Sequence, residues 1–240
     1  MKIPLFRRRF LALSLSLLGA SAIYAGNLNQ LTPQERADGW RLLFDGHSTA
    51  GWHSFKQTWF PAKGWVVEDG WLQCQGSGGG DVLSDAEFEE FDLRWEWKIE
   101  AAGNSGIKYF VLENGGSAIG HEYQMLDDEL NPDGKLANGK RITASFYDVL
   151  MPTAKTPTKP VGEINESRIL VKGKHVEHWL NGVKVLEYDC GSPAIKTAVA
   201  ESKFKGRPGF GDRLKGHILL QDHHSQVWFR NLKIRDLAVK

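Results

Sequence analysis

Apolar residues along this chain recur mainly at every second position. The clearest run is Phe91–Ile99, where Phe91, Leu93, Trp95 and Trp97 alternate with Asp92, Arg94, Glu96 and Lys98. A period of two puts the apolar set on one face of a strand and the charged set on the other. This predicts a half-buried β-strand whose charged row meets water or a groove. Residues 65–68, 71–74 and 168–171 share the alternating or β-branched and aromatic character of strands. Tight-turn signals separate such runs: Glu68-Asp69-Gly70, Lys172-Gly173-Lys174 and Leu180-Asn181-Gly182. Asn181-Gly182 divides residues 175–180 from 183–188, and Asn-Gly readily adopts the two positive φ angles of a type I′ hairpin. Only residues 31–36 read as a helix, with Thr32 as cap and Pro33 at the first helical position. Strands do not alternate with long amphipathic helices, which disfavours a parallel α/β layout. The pattern predicts an all-β, two-sheet antiparallel sandwich.

Residues 121–128, H-E-Y-Q-M-L-D-D, carry the densest chemistry on this pattern. Strand parity places Glu122 and Gln124 on one face, with Tyr123 and Met125 on the other. A carboxylate and an amide above an apolar pair suit a polar cleft on a packed core. The alternative is the solvated face of an antiparallel sheet. Two irregular stretches, residues 127–142 and 152–164, are long enough to expect functional or mobile loops.

The first residues look like an address label. Lys2 and Arg7-Arg8-Arg9 precede a short apolar run from Phe10 to Leu18, followed by small residues up to Gly26. This is the layout of a signal peptide over residues 1–25, for either the Sec or the twin-arginine route, and it is too short for a stable span. A periplasmic or secreted protein is expected, with residues 26–240 as a single domain and no membrane span after cleavage. About 215 residues remain, enough for one all-β core. The 30 basic and 29 acidic residues form no long block, so a nucleic-acid partner is not expected. Nine Trp are compatible with sugar stacking, although each one taken singly reads as core. Cys74 and Cys190 could form a disulfide or remain two buried thiols.

Other polar clusters extend the list of candidates. Residues 103–110, G-N-S-G-I-K-Y-F, place Asn104 and Lys108 at a turn and strand, with Lys108 expected to share a face with Phe110. A lysine in that setting can hold an oxyanion or simply cover apolar surface with its stem. Tyr147, in F-Y-D, offers a phenol. Gln221, Asp222, His223 and His224 precede Arg230 on an expected strand, whereas His178 reads as a core histidine. No H-E-x-x-H, cysteine pair, G-x-S-x-G or Walker loop is present, and the glycines at 76 and 78–80 read as a flexible loop.

Together these segments resemble the 3-keto-disaccharide hydrolase domain family. The matching motifs are G-W-R-L-L-F-D-G at 39–46, G-N-S-G-I-K-Y-F, H-E-Y-Q-M-L-D-D, V-E-H-W-L-N-G, G-H-I-L-L-Q-D-H and V-W-F-R-N-L-K-I, in order along the mature chain. The resemblance implies a concanavalin- or laminin-G-like jelly roll acting on glycosides oxidised at the sugar 3-position. Carried over by position, it implies cleft roles for Lys108, Glu122, Gln124, Asp127, Tyr147 and His223. Asn104, Gln221 and Arg230 join Gln124 as expected substrate contacts. His224 stands where the family commonly has glycine, which would reshape that turn.

A 3-keto group acidifies the C2 proton, so elimination of the C1 aglycone followed by hydration is the expected route. Glu122 or His223 is the expected base. Lys108, or a divalent ion held by Glu122 and His223, would stabilise the enolate, and Tyr147 or Asp127 would supply the acid. A sugar 3-dehydrogenase is an expected upstream partner. Two rival readings remain at this point. One is a lectin-like carbohydrate-binding module; the other is paired-carboxylate hydrolysis by Glu122 and Asp127.

Overall fold

The alternation at 91–99 builds one of the central strands of a two-sheet sandwich. The computed structural model describes residues 28–238, so the signal expected over 1–25 lies outside the described residues. The chain begins with α1 (Pro33–Ala37), β1 (Trp40–Leu42), β2 (Trp52–Ser54), β3 (Trp65–Glu68) and β4 (Trp71–Gln75). It continues through β5 (Val82–Phe88), β6 (Phe91–Ile99), β7 (Asn104–Val111) and β8 (His121–Leu126). After a long irregular stretch come β9 (Asn165–Lys172), β10 (His175–Leu180), β11 (Val183–Asp189), α2 (Pro193–Ala200), β12 (Gly216–Leu220) and β13 (Gln226–Asp236). The larger sheet runs β11-β10-β9-β6-β13-β4-β3, with β1 also on β13. The smaller runs β2-β5-β12-β7-β8. Among the described residues the strands pair antiparallel throughout, and the fold is the expected jelly-roll sandwich.

Local chemistry explains the turns. Asp69-Gly70 and Asn181-Gly182 both adopt paired positive φ, and they close the β3–β4 and β10–β11 hairpins. Thr32 and Glu35 form a reciprocal capping box at α1, behind Pro33. Alternation gives no sign of α2, although Ser192 caps it and Pro193 begins it by the same logic.

Between the sheets, Phe91, Leu93, Trp95 and Trp97 of β6 meet Ile107, Tyr109, Tyr123 and Met125 from β7 and β8. Each such side chain contributes about 1.5–3 kcal/mol when fully buried. A chain of hydrogen bonds also crosses this core, from His121 Nδ1 to the Tyr188 hydroxyl (2.8 Å), then to Tyr109 (2.7 Å) and His178 Nε2 (2.8 Å). His178 Nδ1 lies 3.0 Å from the Ala144 carbonyl, so it carries the proton and the chain has one consistent direction. Burial pushes the His121 pKa down to about 3 and that of His178 to about 4, so both stay neutral near pH 7. Cys74 and Cys190 are buried free thiols rather than a disulfide.

Two expectations from alternation need correction. The charged row of β6 is not uniformly solvated: Asp92 is fully buried, and Arg168 donates to its two oxygens at 2.7 and 2.9 Å. Nor does Phe110 share a face with Lys108. The β12–β7 register slips between His217 and Leu219, Phe110 takes φ +59°, and its ring turns inward against Phe91. A β-bulge of this kind breaks the parity that alternation assumes.

Candidate active-site cleft

The outward face of the smaller sheet forms the floor of a cavity of about 290 Å³. Its register does the positioning. Lys108 lies directly opposite Glu122, and Gly106 lies opposite Gln124. Strand parity therefore puts Asn104, Lys108, Glu122 and Gln124 on one surface, with Gln221 beyond the end of β12. The edge of β8 is covered by residues 142–150: the Ala144 and Tyr147 N–H groups donate to the Gln124 and Glu122 carbonyls at 2.8 and 3.0 Å. That cover brings Tyr147 to the wall, while the segment after α2 adds Lys203, Phe204 and Arg207.

Glu122 is the centre of this arrangement. It is only 6% exposed, and burial raises its pKa above the ordinary 4.5, opposed by the positive charges of Lys108 and Lys203. Gly106 makes room for it: a Cβ there would stand 2.8 Å from Glu122 Oε1. The network around Gln124 orients its amide nitrogen toward Glu122 Oε1 (3.2 Å) and the Ser105 carbonyl (3.1 Å). A buried carboxylate with a raised pKa, an amide donor and nearby cations is equipped to take up a proton near neutral pH.

The cations come from opposite walls. Lys108 Nζ reaches Asp81 Oδ2 and the Ala118 carbonyl, both at 3.5 Å. Lys203 is exposed, and its ammonium sits 4.0 Å from the centre of the Tyr147 ring. Desolvation lowers its pKa below the ordinary 10.5, while Glu122 pulls the other way. His223 stands exposed at the rim and lines the cavity. Its loop is tied down because Asp81 accepts from the Asp222 N–H (2.9 Å) and Asp222 accepts from Gly80 (2.9 Å) and His224 (3.0 Å). His224 takes φ +60°, so the turn keeps the left-handed conformation that a glycine would adopt freely.

The structure thus gathers Asn104, Lys108, Glu122, Tyr147, Gln221 and His223 around one cavity, with Gln124 beneath. It does not bring Asp127 or Arg230 there. Asp127 follows the end of β8 and accepts hydrogen bonds from the Ala102, Glu129 and Leu130 amides, organising a turn. Arg230 belongs to β13 in the other sheet, where it pairs with Glu96 (2.7 Å) and stacks on Trp71. Tyr147 is at the wall, but its hydroxyl donates to Asp133 Oδ2 at 2.7 Å. Burial and that carboxylate raise the phenol's pKa, so its proton is firmly held. Lys203, Phe204 and Arg207 were missed because they follow a helix in a stretch without periodicity or motif. The Ser192-Pro193 cap was the available signal that this segment had a built support.

The donor set fits a divalent ion poorly. Among the described residues, Glu122 and His223 are the only carboxylate and imidazole lining the cavity, beside Lys108, Lys203 and Arg207. That excess of positive charge suits an oxyanion instead. Among the described residues, the trio of potential ligands within 4.8 Å of one another is His175, Glu177 and Glu187, on the larger sheet. There Lys184 already bonds both glutamates, at 3.3 and 2.6 Å.

Comparison with known proteins adds a second line of observation. Residues 39–235 match the 3-keto-alpha-glucoside-1,2-lyase-like domain. A 3-keto-disaccharide hydrolase of Bacteroides thetaiotaomicron is 33% identical over 249 aligned residues, which take in 91% of this chain and 85% of that protein. A Parabacteroides distasonis protein, provisionally described as a glycosyl hydrolase, is 36% identical in its crystal structure. It superimposes with a TM-score of 0.79, covering 88% of this chain and 99% of that one. A second protein of the same organism shares the fold at 24% identity and a TM-score of 0.64, covering 82% and 99% of the two chains.

Proposed function

The chain belongs to the 3-keto-alpha-glucoside-1,2-lyase-like domain family, and from that premise we propose that it is a carbohydrate-cleaving enzyme acting on 3-keto-glycosides. The observation that carries the reading is Glu122: one buried carboxylate with a raised pKa, set among cations on a cavity floor. A paired-carboxylate mechanism needs a second carboxylate across the cleft, and Asp127 is turned away into its own loop.

In this reading Glu122 removes the C2 proton. The C–H pair moves into a C2=C3 enolate whose oxygen faces Lys108 and Lys203. The enolate then collapses, C3=O re-forms, a C1=C2 double bond appears and the C1–O bond breaks. His223 at the rim gives a proton to the departing aglycone oxygen. Water next adds its oxygen to C1 while C2 regains a proton, so the net reaction is hydrolysis. Electrostatic stabilisation of the enolate is the step for which the cationic walls are suited. No step is routed through a metal ion.

The basic and apolar start supports export to the periplasm or beyond, which N-terminal sequencing of protein from the native host would test. The 3-keto group must come from an upstream oxidation, so a sugar 3-dehydrogenase is the partner in the reaction sequence. The functional test compares a 3-keto-glucoside with its parent glucoside, using wild type and Glu122→Gln. Wild type should cleave only the ketone, and Glu122→Gln should lose roughly 100-fold or more in kcat while retaining binding. Equal cleavage of both substrates would restore ordinary glycoside hydrolysis. Sugar binding without any cleavage would leave a binding module.

A further inference from the structure

Tyr147 and Lys203 meet at one wall of the cleft although they belong to segments distant in sequence, the cover over β8 and the stretch after α2. Arg141 joins them from behind without lining the cavity itself. Its Nε donates to Asp148 Oδ1 at 2.5 Å, and its Nη1 donates to Asp133 Oδ1 at 2.7 Å. The second oxygen of each carboxylate serves the wall. Asp133 Oδ2 accepts from the Tyr147 hydroxyl, and Asp148 Oδ2 accepts from the Lys203 N–H at 2.6 Å. The circuit closes where the Lys203 ammonium lies over the Tyr147 ring.

These contacts are of the kind that fix position. Asp148 is 5% exposed and takes φ +63°, a left-handed conformation uncommon for a residue with a Cβ. A guanidinium is a planar fork, so two carboxylates bonded through it are held at a set separation and angle; a lysine ammonium is a point charge and imposes neither. Lys203 is thereby tied at both ends, its N–H to Asp148 and its ammonium to Tyr147. From there its charge opposes the effect of burial on the Glu122 carboxyl, in company with Lys108 and His223 and against Asp81. Arg141 does not attract that ammonium. It disfavours the charge on Lys203, whereas Glu122, Asp148 and Asp133 favour it, so what Arg141 supplies is geometry.

Resting on the proposed cleavage of 3-keto-glycosides, we propose that Arg141 is a positioning residue. By bridging Asp133 and Asp148 it sets where the Lys203 ammonium stands relative to Glu122 and the enolate oxygen, while touching neither.

The test compares wild type, Arg141→Lys, Lys203→Met and the double variant. Arg141→Lys keeps the charge and loses the fork. In the free protein, the titration midpoint of the Glu122 carboxyl carbon, followed by carbon NMR, should rise in Arg141→Lys, because a displaced ammonium opposes burial less. The double variant should titrate as Lys203→Met does alone, since no ammonium is left for Arg141 to place. On a 3-keto-glucoside, kcat of Arg141→Lys should fall about tenfold with KM little changed. An unmoved midpoint, a double variant that shifts beyond Lys203→Met, or an unchanged kcat would each overturn the proposal. Asp148→Asn, read in the same way against Lys203→Met, takes over if Arg141→Lys does not fold. Failure of both variants to fold would make the circuit a support of the fold alone and overturn the proposal too. Failure of the functional reading is distinct: wild type would leave the 3-keto-glucoside uncleaved even though the Glu122 titrations keep the expected order.

Discussion

Gly106→Ala adds one carbon to the chain and should disable the site without removing any functional group. The new Cβ would stand 2.8 Å from Glu122 Oε1 and 3.1 Å from both Glu122 Cγ and the Tyr123 carbonyl. An ordinary contact starts near 3.4 Å, so the carboxylate must retreat by about half an ångström or more. It cannot retreat freely, because Lys108 faces it across the strand pair and Gln124 bonds the same oxygen. Overpacking of this kind costs about 1–3 kcal/mol, so a urea titration should show a midpoint loss with unchanged slope. Because a misplacement near 1 Å costs about 100-fold in rate, kcat on a 3-keto-glucoside should fall roughly 10- to 100-fold, with KM little changed. Wild-type kcat in a folded Gly106→Ala protein would refute the claim that the position of the Glu122 carboxylate sets the rate.

Three further outcomes follow from the same geometry. Glu122 must be ionised to act, and its pKa lies above 4.5, while Lys203 must be charged, and its pKa lies below 10.5. kcat/KM should therefore rise with pH through a limb above 4.5 and fall through one below 10.5. Lys203→Met removes a charge that favours the Glu122 carboxylate, so the acid limb should move to higher pH; an unmoved limb would separate the two residues. Dialysis against a chelator should leave turnover unchanged, and loss of activity restored by a divalent ion would require a metal-based mechanism instead. Asp92→Ala, which strands Arg168 and Arg94 on the larger sheet, should cost about 3 kcal/mol in urea unfolding, at the low end because both arginines keep some access to water. A change below about 1 kcal/mol would contradict that role.

Alternation and turn chemistry carried most of the fold into view, because period two and Asn-Gly or Asp-Gly pairs are local signals. Glu122 and Gln124 share the outward face, as parity requires, with Tyr123 and Met125 inward against the core. Parity failed at Phe110, where a bulge flips one residue, since bulges depend on the register of the partner strand. Lys203 and Arg207 were illegible for a different reason: they reach the cleft from a loop more than 80 residues away in sequence from Glu122. Asp127 and Arg230 carried the right chemistry in the wrong places. One serves as a turn acceptor, and the other is paired on the opposite sheet.

The central claim is that Glu122 takes the C2 proton before the glycosidic bond breaks. The direct measurement is the fate of a C2-deuterium label in a 3-keto-glucoside cleaved by wild type in ordinary water, followed by mass spectrometry. Free labelled 3-keto-glucose in the same buffer corrects for spontaneous exchange. Elimination followed by hydration passes the label to Glu122 and then to solvent, so the released sugar should have lost deuterium beyond that control. Released sugar that retains its full label would contradict the account.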